Sequence, residues 1–113
     1  MPNTYGKKVI FDPLRSLAFG SIGAAYAIVG DALEENARLV IVQNLTDTQM
    51  LFSFNGTDDH FTLPAGGQIV FDFTANKATD SGFFLGVKTK LYVKQVSAPS
   101  SGSVYFSYAR GED

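Results

Sequence analysis

The only histidine of the chain, His60, directly follows Asp58 and Asp59. An imidazole beside carboxylates can act as a general base or bind a metal ion. A metal site with a single histidine needs further ligands that converge in the fold, and no neighbouring motif supplies them. We therefore interpret these residues as a polar cluster that flanks a hairpin turn.

Aspartates in predicted turns raise a second chemical option, a calcium ion held by loop oxygens. They are Asp47, Asp58, Asp59 and Asp80. None of them has the alternating Asp/Asn spacing of a dedicated calcium loop, and turn preference explains them adequately. With no cysteine and no serine in a nucleophile-elbow context, the sequence predicts no enzyme, no metal and no cofactor.

The elements that position these residues are short strands with alternating apolar side chains, separated by turn residues. A period of two indicates pleated strands with one buried face. Residues 38–44 form a nearly continuous apolar run that is rich in β-branched residues, which predicts a strand covered on both faces. The predicted strands are 38–44, 50–54, 60–63, 68–73, 87–96 and 103–109.

The 113 residues have room for one domain, residues 1–113. Asn55-Gly56 is a strong hairpin signal between two strands, and Pro64 ends the next strand. Residues 74–82 are polar and predict a long connection. About eight strands at these spacings predict an all-β fold, an antiparallel β-sandwich of jelly-roll type.

The first thirty residues are apolar but less regularly patterned. Two alternatives stay open: residues 1–30 supply the first strands of the sandwich, or they include an extended arm that orders against other subunits. Buried Leu or Phe side chains contribute about 1.5–3 kcal/mol each, enough for four of them to hold an arm. The candidate interface anchors are Phe11, Leu14, Leu17 and Phe19.

One predicted strand, 87–96, carries a row of basic and aromatic residues on a single face. These residues are Lys88, Lys90, Tyr92 and Lys94. Such a face can simply discourage edge-to-edge aggregation. Alternatively it is an interface that meets an acidic partner, such as a neighbouring subunit that presents Asp31, Glu34 and Glu35.

The composition argues against two classes of partner, nucleic acids and membranes. A formal net charge of −2 argues against nucleic acid recruited by bulk charge. No stretch approaches the roughly 18–20 consecutive apolar residues of a membrane helix, and residues 1–15 do not fit a signal peptide. We expect no nucleic acid, no membrane and synthesis in the cytoplasm.

Several strings together resemble small structural proteins of tailed bacteriophages, especially short-tailed ones. They are RSLAFGSI (15–22), QNLTD (43–47), FSFNGTDDH (52–60), LPAGG (63–67), YVKQ (92–95) and SGSVY (101–105). The resemblance covers about residues 15–108 and rests on turns and strands, with no catalytic residue to carry over. It implies a virion protein made in the host cytoplasm and present in many copies.

The resemblance also implies the function: a non-enzymatic protein that decorates or cements the capsid, or belongs to the head–tail junction or tail. Its partners would be the major capsid protein or head–tail and tail proteins, together with copies of itself in a homo-oligomer. The alternative is a carbohydrate-binding module on a tail accessory. The absence of tryptophan weighs against that alternative.

Overall fold

The computed structural model describes residues 9–72 and 85–111, and those residues are all-β. They form nine strands and one 3₁₀ turn, Phe19–Ser21, with no α-helix in the described ranges. The strands are β1 (Val9–Phe11), β2 (Arg15–Ala18), β3 (Ala27–Ile28), β4 (Leu39–Asn44), β5 (Met50–Ser53), β6 (Phe61–Leu63), β7 (Gln68–Asp72), β8 (Tyr92–Gln95) and β9 (Ser103–Gly111). The connection predicted for residues 74–82 lies outside the described residues.

The strands pair in a nested order along the chain. β2 pairs with β9, β3 with β8, β4 with β7 and β5 with β6, as in one long hairpin whose tip is β5–β6. The long hairpin is wrapped around itself into two sheets, so that β9 also pairs with β4 and β8 also pairs with β5. The resulting antiparallel sheets have the orders β1-β9-β4-β7, with β2 also beside β9, and β3-β8-β5-β6. This is a jelly-roll sandwich with a divided first strand, so the predicted fold is confirmed.

The core lies between the two sheets, where alternate side chains of facing strands meet. Val40 and Val42 of β4 and Phe106 of β9 pack with Phe52 of β5 and Val93 of β8, and all five are fully buried. Each such side chain contributes about 1.5–3 kcal/mol to folding. The alternation that predicted the strands is therefore the feature that closes the sandwich.

Strand β4 is buried on one face only. Val40, Val42 and Asn44 point into the core, whereas Leu39, Ile41 and Gln43 are half-buried. The prediction that both faces are covered is wrong, because among the described elements only the four-stranded sheet packs against this strand. The outer face of the five-stranded sheet consequently presents apolar residues.

The strand expected over residues 87–96 is also much shorter than predicted. Only Tyr92–Gln95 is a strand, and residues 86–89 form a turn in which Lys88 has a φ of 72°. Backbone bonds fix this turn: the Lys88 N–H donates to the Leu33 carbonyl at 2.6 Å, and the Leu33 N–H donates to the Thr89 carbonyl at 2.9 Å. Lys88 and Lys90 therefore do not share one strand face with Tyr92 and Lys94.

The segment from Val9 onward supplies the first strands of the sandwich. β1 and β2 both pair with β9, and β3 pairs with β8. For the residues from Val9 to Gly30, the alternative in which they supply the first strands of the sandwich therefore holds. Residues 1–8 lie outside the described residues.

One end of the sandwich is held together by the buried side chain of Asn44. Its amide N–H group donates to the carbonyls of Thr48 (2.9 Å), Leu63 (3.0 Å) and Pro64 (3.1 Å). Its oxygen accepts from the backbone N–H and the hydroxyl of Thr46 at 3.1 and 2.6 Å. We call residues 44–48, 63–67 and 97–103, which meet here, the Asn44 end.

Candidate functional site

The histidine region folds as a self-contained hairpin turn. His60 Nδ1 accepts the backbone N–H of Phe54 at 2.9 Å, and the two rings lie 6.0 Å apart. Asn55 donates to the Asp58 carboxylate at 2.8 Å, and its own oxygen accepts two backbone N–H groups of the turn. These polar groups bond to one another, as the hairpin-flanking interpretation expects.

Asp59 ties this turn to the outer face of the four-stranded sheet. Its carboxylate accepts the Tyr26 hydroxyl at 2.5 Å and lies 3.4 Å from Lys94 Nζ. The hydrogen bond from Tyr26, helped by Lys94, holds the pKa of Asp59 below its usual range. Burial, together with the Asp59 carboxylate, raises the pKa of the Tyr26 hydroxyl. Lys94 Nζ also lies 4.7 Å above the Tyr26 ring, so this lysine is already paired within the chain.

The aspartates considered for calcium serve as turn acceptors. Asp47 accepts the Ser100 N–H at 2.8 Å and the Ser100 hydroxyl through its other oxygen. The hydroxyl bond, followed by the backbone bond, lowers the pKa of Asp47. Within residues 9–72 and 85–111, no group of three or more His, Asp or Glu side chains is arranged to hold a metal ion. Asp80 lies outside the described residues.

The residues predicted to form a basic face have separate environments. Lys94 pairs with Asp59, and the ring of Tyr92 packs under Gly56, where an added Cβ would lie 3.3 Å from that ring. Lys88 and Lys90 are exposed and make no ion pair with other described residues. The turn that carries them is bonded to residues 33–36, next to Glu34 and Glu35. The acidic residues expected on a neighbouring subunit therefore also adjoin the lysines within one chain.

The apolar anchors proposed from the sequence fall into two groups. Phe11, Leu14 and Phe19 are exposed, at 57%, 58% and 39% of their surfaces. Leu17 is half-buried against the core instead. Three of these residues are thus available to a partner, and Leu17 supports β2.

The strand register places Phe11 next to an apolar patch that the sequence did not predict. Phe11 and Leu39 both pair with Ala109, in one row across the five-stranded sheet. Ile41, two residues along the same face from Leu39, pairs with Val70, which is 49% exposed. We call Phe11, Leu39, Ile41, Val70 and Ala109 the outer strip. Its members come from four strands, and no local pattern links them.

A cavity of about 270 Å³ opens where the β1–β2 junction meets the loop that follows β3. Its lining residues are Asp12, Pro13, Leu14, Arg15, Asp31 and Glu34. The Arg15 guanidinium donates to the carbonyls of Asp31 at 3.0 Å, Pro13 at 3.4 Å and Ala32 at 3.5 Å. It also lies 5.0 Å above the ring of Tyr108. Arg15 therefore serves as one wall of the cavity.

Tyr108 forms the base beneath Arg15 and anchors Asp12. Its hydroxyl donates to Asp12, whose other carboxylate oxygen lies 3.6 Å from Arg110 Nε. Burial raises the pKa of Tyr108, and the bond to Asp12 adds to this shift. Asp12 is thus engaged internally, whereas Asp31 and Glu34 are exposed and make no ion pair in the described part of the chain.

Comparison with family models, curated proteins and solved structures finds no match for this chain. The phage resemblance noted in the sequence therefore stays a prediction. In the described ranges, no helix has the length and apolar character needed to cross a membrane.

Proposed function

We propose that the chain is a non-enzymatic structural protein of a tailed-phage virion. It binds copies of itself and other virion proteins, on the capsid surface or at the head–tail junction or tail. The observation that carries the proposal is the outer strip, in which exposed Phe11 and Val70 share one face of the sheet with half-buried Leu39 and Ile41, and Ala109 is buried between Phe11 and Leu39. Contiguous exposed apolar surface marks interaction sites, whereas scattered apolar residues do not.

The outer strip is suited to docking because its backbone is already ordered. Leu39 and Ile41 belong to the central strand β4, which is hydrogen-bonded on both sides, to β7 and β9. A partner that covers the strip gains apolar burial, at about 25 cal/mol per Å², with little loss of backbone entropy. Phe11 and Val70, at the two margins, are the residues with the most surface left to bury.

The carbohydrate-binding alternative is less well supported by the aromatic residues of the four-stranded sheet. Sugar binding uses open tyrosine faces for stacking. Lys94 already covers one face of Tyr26, and Gly56 packs against Tyr92. These contacts favour a role for both rings in holding the 55–60 turn against the sheet.

The proposal is tested by replacing the native gene with tagged variants and analysing purified phage particles by mass spectrometry. We expect the native chain in the particles. The double variant Phe11→Glu/Val70→Glu puts charge on the outer strip at two exposed positions, so it should fold and yet be lost from particles. Leu45→Glu/Val96→Glu is the matched control, since it makes the same change in net charge at two positions that are 48% and 52% exposed and lie outside the outer strip. Absence of the native chain from particles, or equal incorporation of all variants, would overturn the proposal.

A further inference from the structure

We infer that two copies of this chain bind each other through one end of the sandwich, with the lysine-bearing turn of each copy entering the carboxylate-rimmed cavity of the other. This end consists of residues 12–15, 31–36 and 86–90, and we call it the charged end. This inference rests on the proposed function, in which copies of the chain bind each other. It names the surface through which they do so.

The receiving part is the cavity of about 270 Å³. Arg15 has its guanidinium directed to three backbone carbonyls and to the Tyr108 ring, so its charge is partly compensated by the wall itself. The exposed carboxylates of Asp31 and Glu34 lie on the rim without an ion pair among the described residues. Leu14, also on the lining, is 58% exposed. The opening thus combines two carboxylates that make no ion pair among the described residues with one apolar side chain, beside the Arg15 guanidinium.

The inserting part is the turn at residues 86–89, the Lys88 turn. Lys88 has a φ of 72°, a conformation that non-glycine residues seldom adopt and that is concentrated at functional positions. The turn is held there by the bond from the Lys88 N–H to the Leu33 carbonyl and by the bond from the Val87 N–H to Asn36 Oδ1, at 2.8 Å. As a result Val87 projects with half its surface exposed, and Lys88 is exposed beside it.

The two parts are complementary and adjacent. A cavity with carboxylates and a leucine on its border matches a turn with a lysine and a valine at its tip. Both lie in one surface, because the 86–90 segment is bonded to residues 33–36 and Glu34 lines the cavity. A patch that carries both members of a complementary pair can bind its own copy about a two-fold axis, which makes each contact twice.

Analytical ultracentrifugation of the full-length chain over a concentration series tests this. We expect a reversible dimer whose dissociation constant rises about tenfold in Lys88→Gln/Lys90→Gln, since two exposed ion pairs are lost at each of two contacts. Raising the salt from about 0.05 M to about 0.5 M should weaken the native dimer in the same direction. The matched control, Ala65→Glu/Ala98→Glu, makes the same change in net charge at exposed positions of the Asn44 end and should leave the dissociation constant unchanged.

A charge exchange makes the test specific to the pairing. Lys88→Glu/Lys90→Glu and Asp31→Lys/Glu34→Lys should each be monomeric alone, because turn and cavity then have the same sign. Mixed in equal amounts they should form a heterodimer, and the quadruple variant should again form a homodimer. The altered side chains make no bond to the described fold, so circular dichroism should report native structure in every variant.

The outcomes separate this inference from the proposed function. A native chain that stays monomeric at about 1 mM overturns the inference. So does a dimer that is insensitive to Lys88→Gln/Lys90→Gln, or charge-exchanged variants that fail to pair. Loss of dimerisation in Phe11→Glu/Val70→Glu alone would move self-association to the outer strip, which contradicts the inference and favours the proposed function. Particle incorporation of the native chain is measured independently of all these results.

Discussion

The two ends of the sandwich hold their loops by different means. At the Asn44 end a buried amide bonds three carbonyls and Thr46, and the Asp47 side chain bonds Ser100. At the charged end the Arg15 and Asn36 side chains and several backbone bonds hold the loops, while Asp31, Glu34, Lys88 and Lys90 remain exposed and make no ion pair within the described residues. The polar side chains of the Asn44 end bond within the fold, whereas Asp31, Glu34, Lys88 and Lys90 do not, and these four are the groups of the dimer contact that we infer.

The largest effect should come from Asn44→Ala. Removing the amide deletes five hydrogen bonds, although the Pro64 carbonyl keeps the Gly67 N–H and the Thr46 hydroxyl keeps the Thr48 carbonyl. At about 0.5–1.5 kcal/mol each, these bonds should lower the free energy of unfolding by about 3–4 kcal/mol. Asn36→Ala at the charged end is the matched control. Asn36 is exposed and its side chain accepts one bond, from the Val87 N–H, so we expect a loss below about 1 kcal/mol. Equal losses in urea denaturation would remove the distinction between the two ends.

A smaller effect should follow Gly102→Ala. Gly102 has a φ of 90°, and an added Cβ would overlap the Leu45 carbonyl oxygen and lie 2.8 Å from the Thr46 Cα. Backbone must shift to admit it, so we expect a loss of about 2–3 kcal/mol. At Gly86, in the charged end, an added Cβ would have no atom of the described residues within 4 Å. Thermal unfolding of Gly86→Ala should therefore change little, and a large loss there would contradict the open space around this position.

The smallest effect should have the opposite sign. Lys88→Gly relieves the positive φ of Lys88 and should raise the free energy of unfolding by about 0.5 kcal/mol. The same change removes a charge of the dimer contact that we infer, so self-association should weaken. Lys90→Gly, with no positive φ to relieve, should not stabilise the chain. If Lys88→Gly instead lowers the denaturation midpoint, the turn is not strained, and its conformation no longer indicates a binding role.

The strand pattern was predictable from the sequence because it is local. Alternation at residues 50–54 and 68–73, with Asn55-Gly56 between strands, gave the hairpin and the buried face directly. The same local logic placed His60 in a turn cluster. The aromatic residues of the alternating strands agree with this: Phe52 and Phe106 are fully buried, and Phe54 and Phe71 pack half-buried against the core.

Predictions that depend on distant contacts were less successful. Residues 87–96 alternate well enough for a strand, but bonds from Leu33 bend the first part into a turn. The outer strip depends on the register of β1 and β4 against β9, which no local pattern specifies. The cavity likewise gathers residues from the first strands and from the loop at residues 31–36.

The nested pairing of the strands has a consequence for how the chain folds. β5 and β6 are neighbours in sequence, so they can meet early at a small entropic cost. Each further pair encloses the one before it, and β2 meets β9 only when almost the whole chain is in place. Folding should thus proceed outward from the β5–β6 hairpin, slowly, as expected for non-local strand pairing. Parts of the outer strip and of the charged end's cavity then form last, so an unfinished chain does not yet present the two surfaces that we propose for binding.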